Sequence, residues 1–392
     1  MRVLHVATTY QSLVTILAPK LAMLAQTEGF ELHTASSGSE PNEVRHPAGI
    51  HHQVTIPRTI RPLADCWAAL RLWRIVRRNR ISLVHTHTAK AGIVGALAGW
   101  LAGSSVVHTA HGLPWYEGQN PLTRTLYRAI ELWVSPLRRA LFVQNRSDYL
   151  ILTHESRLRC PVYFEGNGVD ARAIARQAHQ HAEETWWSHP PGSRILCVAR
   201  LEPVKRLDWL IAAMEQLART EMAIECIIAG RGRDEAALGA SIREKGLVDR
   251  MRILYTPAIH SLIRSADIVT LVSEKEGIPR SLMEAMVLER AVVATNVPGT
   301  RELVVDGETG LLVSLHDLQG YCTNIRTLLH DAGMRKRYGK AGKLRVMELF
   351  NDRASVERWL EYYRSNLPSE GTKHKKHRDH HGKQGSCSNE DM

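Results

Sequence analysis

Ser273-Glu274-Lys275-Glu276-Gly277-Ile278-Pro279-Arg280-Ser281-Leu282-Met283-Glu284-Ala285-Met286-Val287-Leu288-Glu289 directly follows an apolar run, 266–272, that reads as a buried strand of a parallel sheet. Pro279 suits the first turn of a helix, where its missing N–H would have no partner anyway. A loop therefore separates strand from helix. Glu276 lies on that loop, at the carboxyl end of the strand, and Glu284 lies about a turn and a half into the helix. The free amides of Arg280, Ser281 and Leu282 form a helix N-terminus suited to phosphate. Ligands of open α/β sheets bind at that end. The plainer reading of the same stretch is a buried strand, a Pro-started helix and two solvated glutamates.

The chain has 392 residues, enough for two core-bearing domains. Its six cysteines (66, 160, 197, 226, 322, 387) contain no C-x-x-C pair, which argues against a disulfide framework and a zinc site. The N-terminal Val3-Leu4-His5-Val6-Ala7 is too short for a signal sequence and reads as a first strand. The longest uncharged run, 91–107, is interrupted by four glycines and reads as a packed helix followed by a strand. These features predict a cytoplasmic protein. Of the formal charge of +11, residues 1–165 carry +8, with 18 Lys and Arg against 10 Asp and Glu. Such a surface favours anionic partners, including an acidic membrane face. Nucleic acid is disfavoured, because no binding module is recognisable.

Strand signals in the first half fall at 3–7, 30–35, 53–56, 82–85, 105–109, 140–143 and 162–164, with helices between most of them. A helix over 62–79 carries Leu63, Trp67 and Leu70 with Arg71, Arg74, Arg77 and Arg78. It reads either as a basic amphipathic surface for an acidic membrane or as an ordinary crossover helix. His85-Thr86-His87-Thr88 and His108-Thr109-Ala110-His111-Gly112 fall at carboxyl ends of neighbouring strands and are expected to line a cleft. No carboxylate or cysteine accompanies them at metal-ligand spacing.

The pattern stops near Gly166-Asn167-Gly168-Val169-Asp170. The predicted organisation is a first domain over 1–170, a linker over 171–192, a second domain over 193–350, a crossing helix over 351–366 and a disordered tail over 367–392. Second-domain strand signals fall at 194–199, 223–229, 251–254, 268–272, 291–295 and 311–313. After the first of them comes Arg200-Leu201-Glu202-Pro203-Val204-Lys205-Arg206. Arg200 and Lys205 stand where two cations would neutralise a diphosphate, one as a planar fork and one as a point charge. Gly230-Arg231-Gly232 lets backbone approach a ligand.

The run Gly166 to Asp170, then Arg200 to Lys205, then Glu276-Gly277-Ile278-Pro279 to Glu284-Ala285-Met286, then Thr295 and Asp306-Gly307-Glu308-Thr309-Gly310-Leu311, resembles the retaining family 4 glycosyltransferases. Within them it is similar to the branch that builds bacterial surface polysaccharides. The resemblance implies an α/β GT-B fold: two doubly wound Rossmann-like domains facing a central cleft, with a C-terminal helix crossing back to the first. It implies a nucleotide-diphosphate sugar, a UDP-sugar foremost, and a glycan or polyprenyl-linked acceptor in surface polysaccharide or lipopolysaccharide assembly, at or near the inner membrane face. No cofactor and no metal are implied.

By position, Arg200, Lys205 and the amides near Arg280, Ser281 and Leu282 would hold the diphosphate, beside Gly230 and Gly277. Glu284 would accept hydrogen bonds from the ribose, while Glu276 and His111 would contact the sugar from opposite lobes. Ser12, His85 and His87 are acceptor-side candidates. Either Glu276 attacks covalently or the acceptor enters from the leaving-group face. The usual Gly-Gly loop after the first strand is replaced here by Thr8-Thr9-Tyr10-Gln11-Ser12-Leu13. A nucleotide-sugar-binding protein without catalysis and a GT-B epimerase are the alternatives, whereas a nicotinamide dehydrogenase would need a G-x-G-x-x-G after the first strand.

Overall fold

A computed structural model describes residues 1–38, 49–116, 118–180, 186–221 and 223–366. The strands of the first sheet are β1 (Arg2–Thr9), β2 (Glu31–Ser37), β3 (Ile50–Gln53), β4 (Leu83–His87), β5 (Ser105–Ala110), β6 (Ala140–Val143) and β7 (Val162–Phe164). The second sheet contains β8 (Arg194–Val198), β9 (Glu225–Ala229), β10 (Met251–Leu254), β11 (Ile268–Leu271), β12 (Ala291–Thr295) and β13 (Leu311–Val313). Every pairing is parallel. The spatial orders are β3-β2-β1-β4-β5-β6-β7 and β10-β9-β8-β11-β12-β13. Each order reverses once, between β1 and β4 and between β8 and β11. Those two switch points are where an open α/β sheet leaves a crevice at its strands' carboxyl ends.

Two sequence expectations shift at the edges. The strand expected over 53–56 lies at Ile50–Gln53, where it pairs with β2 from His33 to Ser36. Val54 and Ile56 supplied the apolar signal, but they turn into the core after the pairing ends, with Ile56 N–H donating to Ser37 Oγ at 2.5 Å. Residues 171–178 of the expected linker form a helix, Ala171–Ala178, capped by Asp170, whose side chain accepts from Ala173 N–H. Its Ile174 and Ala178 are buried, and Ile174 packs into the second lobe's core. The tail over 367–392 lies outside the described residues.

The helix Asp352–Asn366 crosses back to the first lobe. It buries Trp359, Tyr362 and Tyr363 against Leu13, Leu17 and Leu21. A charged group sits beneath its first turn: Lys20 Nζ lies 2.9 Å from Glu165 Oε1 and 4.0 Å from Asp352 Oδ1, and all three side chains are buried. One cation thus faces two carboxylates. Neither Asp352 oxygen accepts a hydrogen bond. Burial pushes the Asp352 carboxyl above its ordinary range, with Lys20 opposing.

A raised folded-state pKa makes an acid destabilising once ionised, so this group withdraws stability as pH rises through its folded pKa. Asp352→Asn is expected to raise Tm at pH 7.5 by about 2–4 °C, the shift that ~1 kcal/mol produces in a domain of this size. The gain should close as pH falls below about 4, the ordinary carboxylate value. A lower Tm for the variant at pH 7.5 would mean that attraction to Lys20 outweighs the burial penalty.

No helix among the described residues is long and apolar enough to cross a membrane. The helix Pro62–Arg78 buries Ala68, Ala69, Leu72 and Val76 and leaves Leu63 and Trp67 exposed. The helix Pro121–Val134 exposes Leu122, Leu126 and Trp133 along one stripe, a feature absent from the sequence reading.

Candidate active site

The two central strands of the second lobe, β8 and β11, pair from Ile268 to Thr270, and the loops after them face each other. Lys205 closes the short turn Pro203–Lys205 after β8, and Glu276 lies on the loop after β11. Their side chains meet, with Lys205 Nζ 2.5 Å from Glu276 Oε1 and both largely shielded from solvent. Arg200 leaves the same strand but turns outward, its guanidinium 2.6 Å from Glu202 and two-thirds exposed. The cation and carboxylate come together at the switch point; the Arg200 fork stands apart from them.

The helix Arg280–Val287 begins directly after Pro279, which precedes it as an extended N-cap residue rather than standing in its first turn. Leu282 is fully buried, anchoring the first turn into the second-lobe core. Arg280 Nε lies 2.9 Å from Glu284 Oε1 one turn on, and His260 Nε2 lies 3.6 Å from Glu284 Oε2. Burial raises the Glu284 carboxyl; the His260 ring and Arg280 outweigh that and hold it ionised below the usual carboxylate range. Glu284 is therefore a buried anion, not a solvated one. Gly230 admits no side chain, since a Cβ there would stand 1.9 Å from the Ala199 carbonyl oxygen.

The first lobe closes the other side of the crevice. A Cβ on Gly277 would lie 2.4 Å from the His111 carbonyl oxygen, so the two loops touch through backbone. Asn167 Nδ2 donates to the Ile278 carbonyl at 3.3 Å, and Tyr116 Oη donates to Glu274 Oε2 at 3.2 Å. Lys275 sits within this contact, its Nζ 5.9 Å from the Tyr116 ring centre. Burial lowers its ammonium to about 8, with Asp148 and Glu276 opposing. Asp148 also accepts from Leu113 N–H at 3.1 Å and so ties down the loop bearing His111. Ser12 lies at the first lobe's own switch point, its hydroxyl 2.9 Å from Thr9 Oγ1.

His85 and His87 do not line the cleft. Both are fully buried, because the crossing helix covers the carboxyl end of β4 with Trp359 and Tyr363. The sequence reading found no metal-ligand spacing. Tertiary structure nevertheless brings one nitrogen each of His5, His85 and His87 within 4.8 Å of one another. Several of these nitrogens already bond within the protein: His5 Nδ1 to His87 Nε2 at 3.0 Å, and His85 to Thr109 and Tyr363. Sequence reading also passed over Lys20, Gln144, Asp148, Glu165 and Lys275, since no local spacing marks residues whose partners lie far along the chain, as Lys20 and Glu165 do at 145 positions apart.

Two facing Rossmann-like lobes, with a cation, a carboxylate and a helix N-terminus at the second lobe's switch point, define the GT-B architecture. Residues 189–345 match the model of the glycosyl transferases group 1, and residues 15–172 match that of glycosyltransferase family 4. The chain belongs to the GT-B glycosyltransferases of family 4. It is 25% identical to the putative glycosyltransferase EpsD of Bacillus subtilis, over 86% of this chain and 89% of that protein. It is 24% identical to the UDP-Gal:alpha-D-GlcNAc-diphosphoundecaprenol alpha-1,3-galactosyltransferase of Escherichia coli, over 71% and 74% respectively. Among solved structures, Anabaena Alr3699/HepE in complex with UDP and glucose superposes with a TM-score of 0.76 at 17% identity, covering 93% of this chain and all of that one. At that identity the likeness is one of fold.

Proposed function

We propose that the chain is a retaining, metal-independent transferase that moves a sugar from a UDP-sugar to a glycan or polyprenyl-linked acceptor in surface polysaccharide assembly. The observation that carries this reading is the Lys205–Glu276 pair at the switch point of the nucleotide-binding lobe, with Gly277 pressed against the His111 loop. Breaking the anomeric bond leaves negative charge on the diphosphate and an oxocarbenium-like ring. Lys205 and the amides of Arg280, Ser281 and Leu282 would take up the first charge, each fixed contact being worth about 3–4 kcal/mol by analogy with oxyanion holes, and Arg200 would join them only by turning in from Glu202. Glu276 would face the second. A carboxylate bonded to an ammonium is a weakened nucleophile, so the pair suits an electrostatic role for Glu276 and acceptor entry on the leaving-group face. Glu284, held ionised, would accept from the ribose hydroxyls.

Names of relatives support the choice of nucleotide and acceptor: the Escherichia coli protein named above uses UDP-Gal and a diphosphoundecaprenol acceptor. The basic first lobe, with Leu63, Trp67, Leu122, Leu126 and Trp133 exposed, would face the anionic membrane that holds such an acceptor.

The test is a thermal-shift screen of nucleotide sugars followed by transfer assays with the best of them. A UDP-sugar at about a hundred times its Kd should add roughly 2.7 kcal/mol of stability. Transfer should survive EDTA, give a product of retained anomeric configuration by NMR, and accompany co-sedimentation with phosphatidylglycerol vesicles above that with phosphatidylcholine. An inverted product would remove the retaining assignment. Loss of transfer in EDTA, restored by Mg²⁺ or Mn²⁺, would remove metal independence, and equal sedimentation with both lipids would remove the membrane contact.

A further inference from the structure

Arg206 occupies a backbone conformation that side chains avoid. Its φ of +48° and ψ of +40° lie in the left-handed region, where a Cβ crowds the following carbonyl and glycine is the default. Such strain persists only where surrounding contacts over-determine it, and it gathers at functional sites. The contacts here are explicit. The guanidinium presents Nε and Nη2 to the two Asp208 oxygens, each at 3.1 Å, and Nη1 to Glu274 Oε1 at 2.8 Å. Two carboxylates thus hold one planar fork, and the backbone cannot relax without giving up both.

Glu274 reaches three parts of the molecule. Its N–H donates to the Val204 carbonyl at 2.9 Å, its Oε1 takes Arg206, and its Oε2 accepts from Tyr116 Oη of the first lobe at 3.2 Å. The first two contacts grip the turn Pro203–Lys205 on either side of Lys205, whose Nζ faces Glu276 at 2.5 Å. The third crosses the crevice. Lys205 therefore sits between two residues fixed by one glutamate, and that glutamate is shared with the opposite lobe. A carboxylate has two oxygens, so it takes the tyrosine and the arginine together and each steadies it for the other.

We propose that Tyr116 and Arg206, joined through Glu274, are positioning residues for sugar transfer: contact of the first lobe with Glu274 fixes the turn that presents Lys205, so the cation is set in place as the crevice closes. The proposal rests on the reading that Lys205 holds the donor diphosphate. Separation of the lobes breaks the Tyr116 contact, and a displacement of roughly an ångström in a group that acts on the reaction costs about a hundredfold in rate.

The experiment combines amide hydrogen exchange of the ligand-free full chain with UDP binding and transfer kinetics. Tyr116→Phe removes one oxygen. It should speed exchange at the Lys205, Arg206 and Glu274 amides about tenfold, the scale of a lost hydrogen bond to a charged group. It should lower kcat by roughly ten- to a hundredfold and leave the UDP Kd within about twofold, because UDP alone can bind the second lobe without the first. Arg206→Gly separates positioning from folding. Glycine accepts the φ of +48° without steric cost, so a purely structural role predicts a parental or higher Tm with parental kcat. The proposal predicts that Tm with kcat lowered as in Tyr116→Phe. The double variant should be no slower than the slower single, since both cut one connection.

Exchange in Tyr116→Phe within about twofold of the parent overturns the proposal, and so does parental kcat in Arg206→Gly. Losses that multiply in the double variant also overturn it, because the two residues would then act separately. Lys205→Gln, which keeps a hydrogen bond to Glu276, tests the reading underneath and should weaken UDP binding about tenfold. Parental UDP affinity in that variant would remove Lys205 from the diphosphate, and with it the role in transfer, while faster exchange in Tyr116→Phe would still establish the link between the lobes.

Discussion

Glu276→Gln is expected to lower kcat for sugar transfer by about three orders of magnitude, the ~3–4 kcal/mol scale of a lost transition-state contact. The amide keeps the size of the side chain and an acceptor oxygen for Lys205, which lies 2.5 Å away and is largely shielded from solvent. Breaking such a pair outright would leave an uncompensated cation at a shielded site, which is strongly destabilising. The glutamine variant avoids that confusion: its Tm and its UDP affinity should stay near those of the parent, and only turnover should fall. Substrate and enzyme without the carboxylate still meet; what disappears is a negative charge that strengthens its interaction as the ring becomes cationic. Transfer within about threefold of the parent would remove Glu276 from the reaction.

Gly277→Ala should reduce kcat/KM by about a hundredfold, the penalty for displacing reacting groups by roughly an ångström. The added methyl carbon would sit 2.4 Å from the His111 carbonyl oxygen, and backbone cannot rotate aside as a long side chain can. Gly277 does not lie in the left-handed region, so alanine is compatible with its φ and the effect isolates the steric contact between lobes. The two loops must separate, taking Glu276 away from the His111 side. Each lobe keeps its own core, so Tm should change little while the crevice widens. Near-parental kcat/KM would mean that this close approach is not the working arrangement.

The fold was largely legible because two periodicities are local. Apolar runs such as 195–197 and 268–271 mark buried parallel strands, and Pro279 marks the start of the helix Arg280–Val287 within one residue. β3 was misplaced by three residues, since Val54 and Ile56 look like strand but serve the core beyond it. For the candidate site, the strand-end rule puts Lys205 and Glu276 each at the carboxyl end of a strand, and the fold makes those two strands neighbours. The same rule failed for His85 and His87. It identifies which end of the sheet a residue occupies, but not what lies on top of that end. Here a helix more than 260 residues further along covers it with Trp359 and Tyr363.

By itself the sequence determined the alternation of strands and helices, the two-lobe order, and the residues that follow the central strands, because each depends on neighbours within a few positions. Only the tertiary structure decided that Lys205 takes Glu276 while Arg200 turns to Glu202, that Glu284 is a buried anion between Arg280 and His260, and that Glu165 gathers Lys20, Gln144 and Thr109. Charges and imidazoles choose partners by distance and desolvation after the chain has folded, and neither quantity is written in the spacing of residues along it.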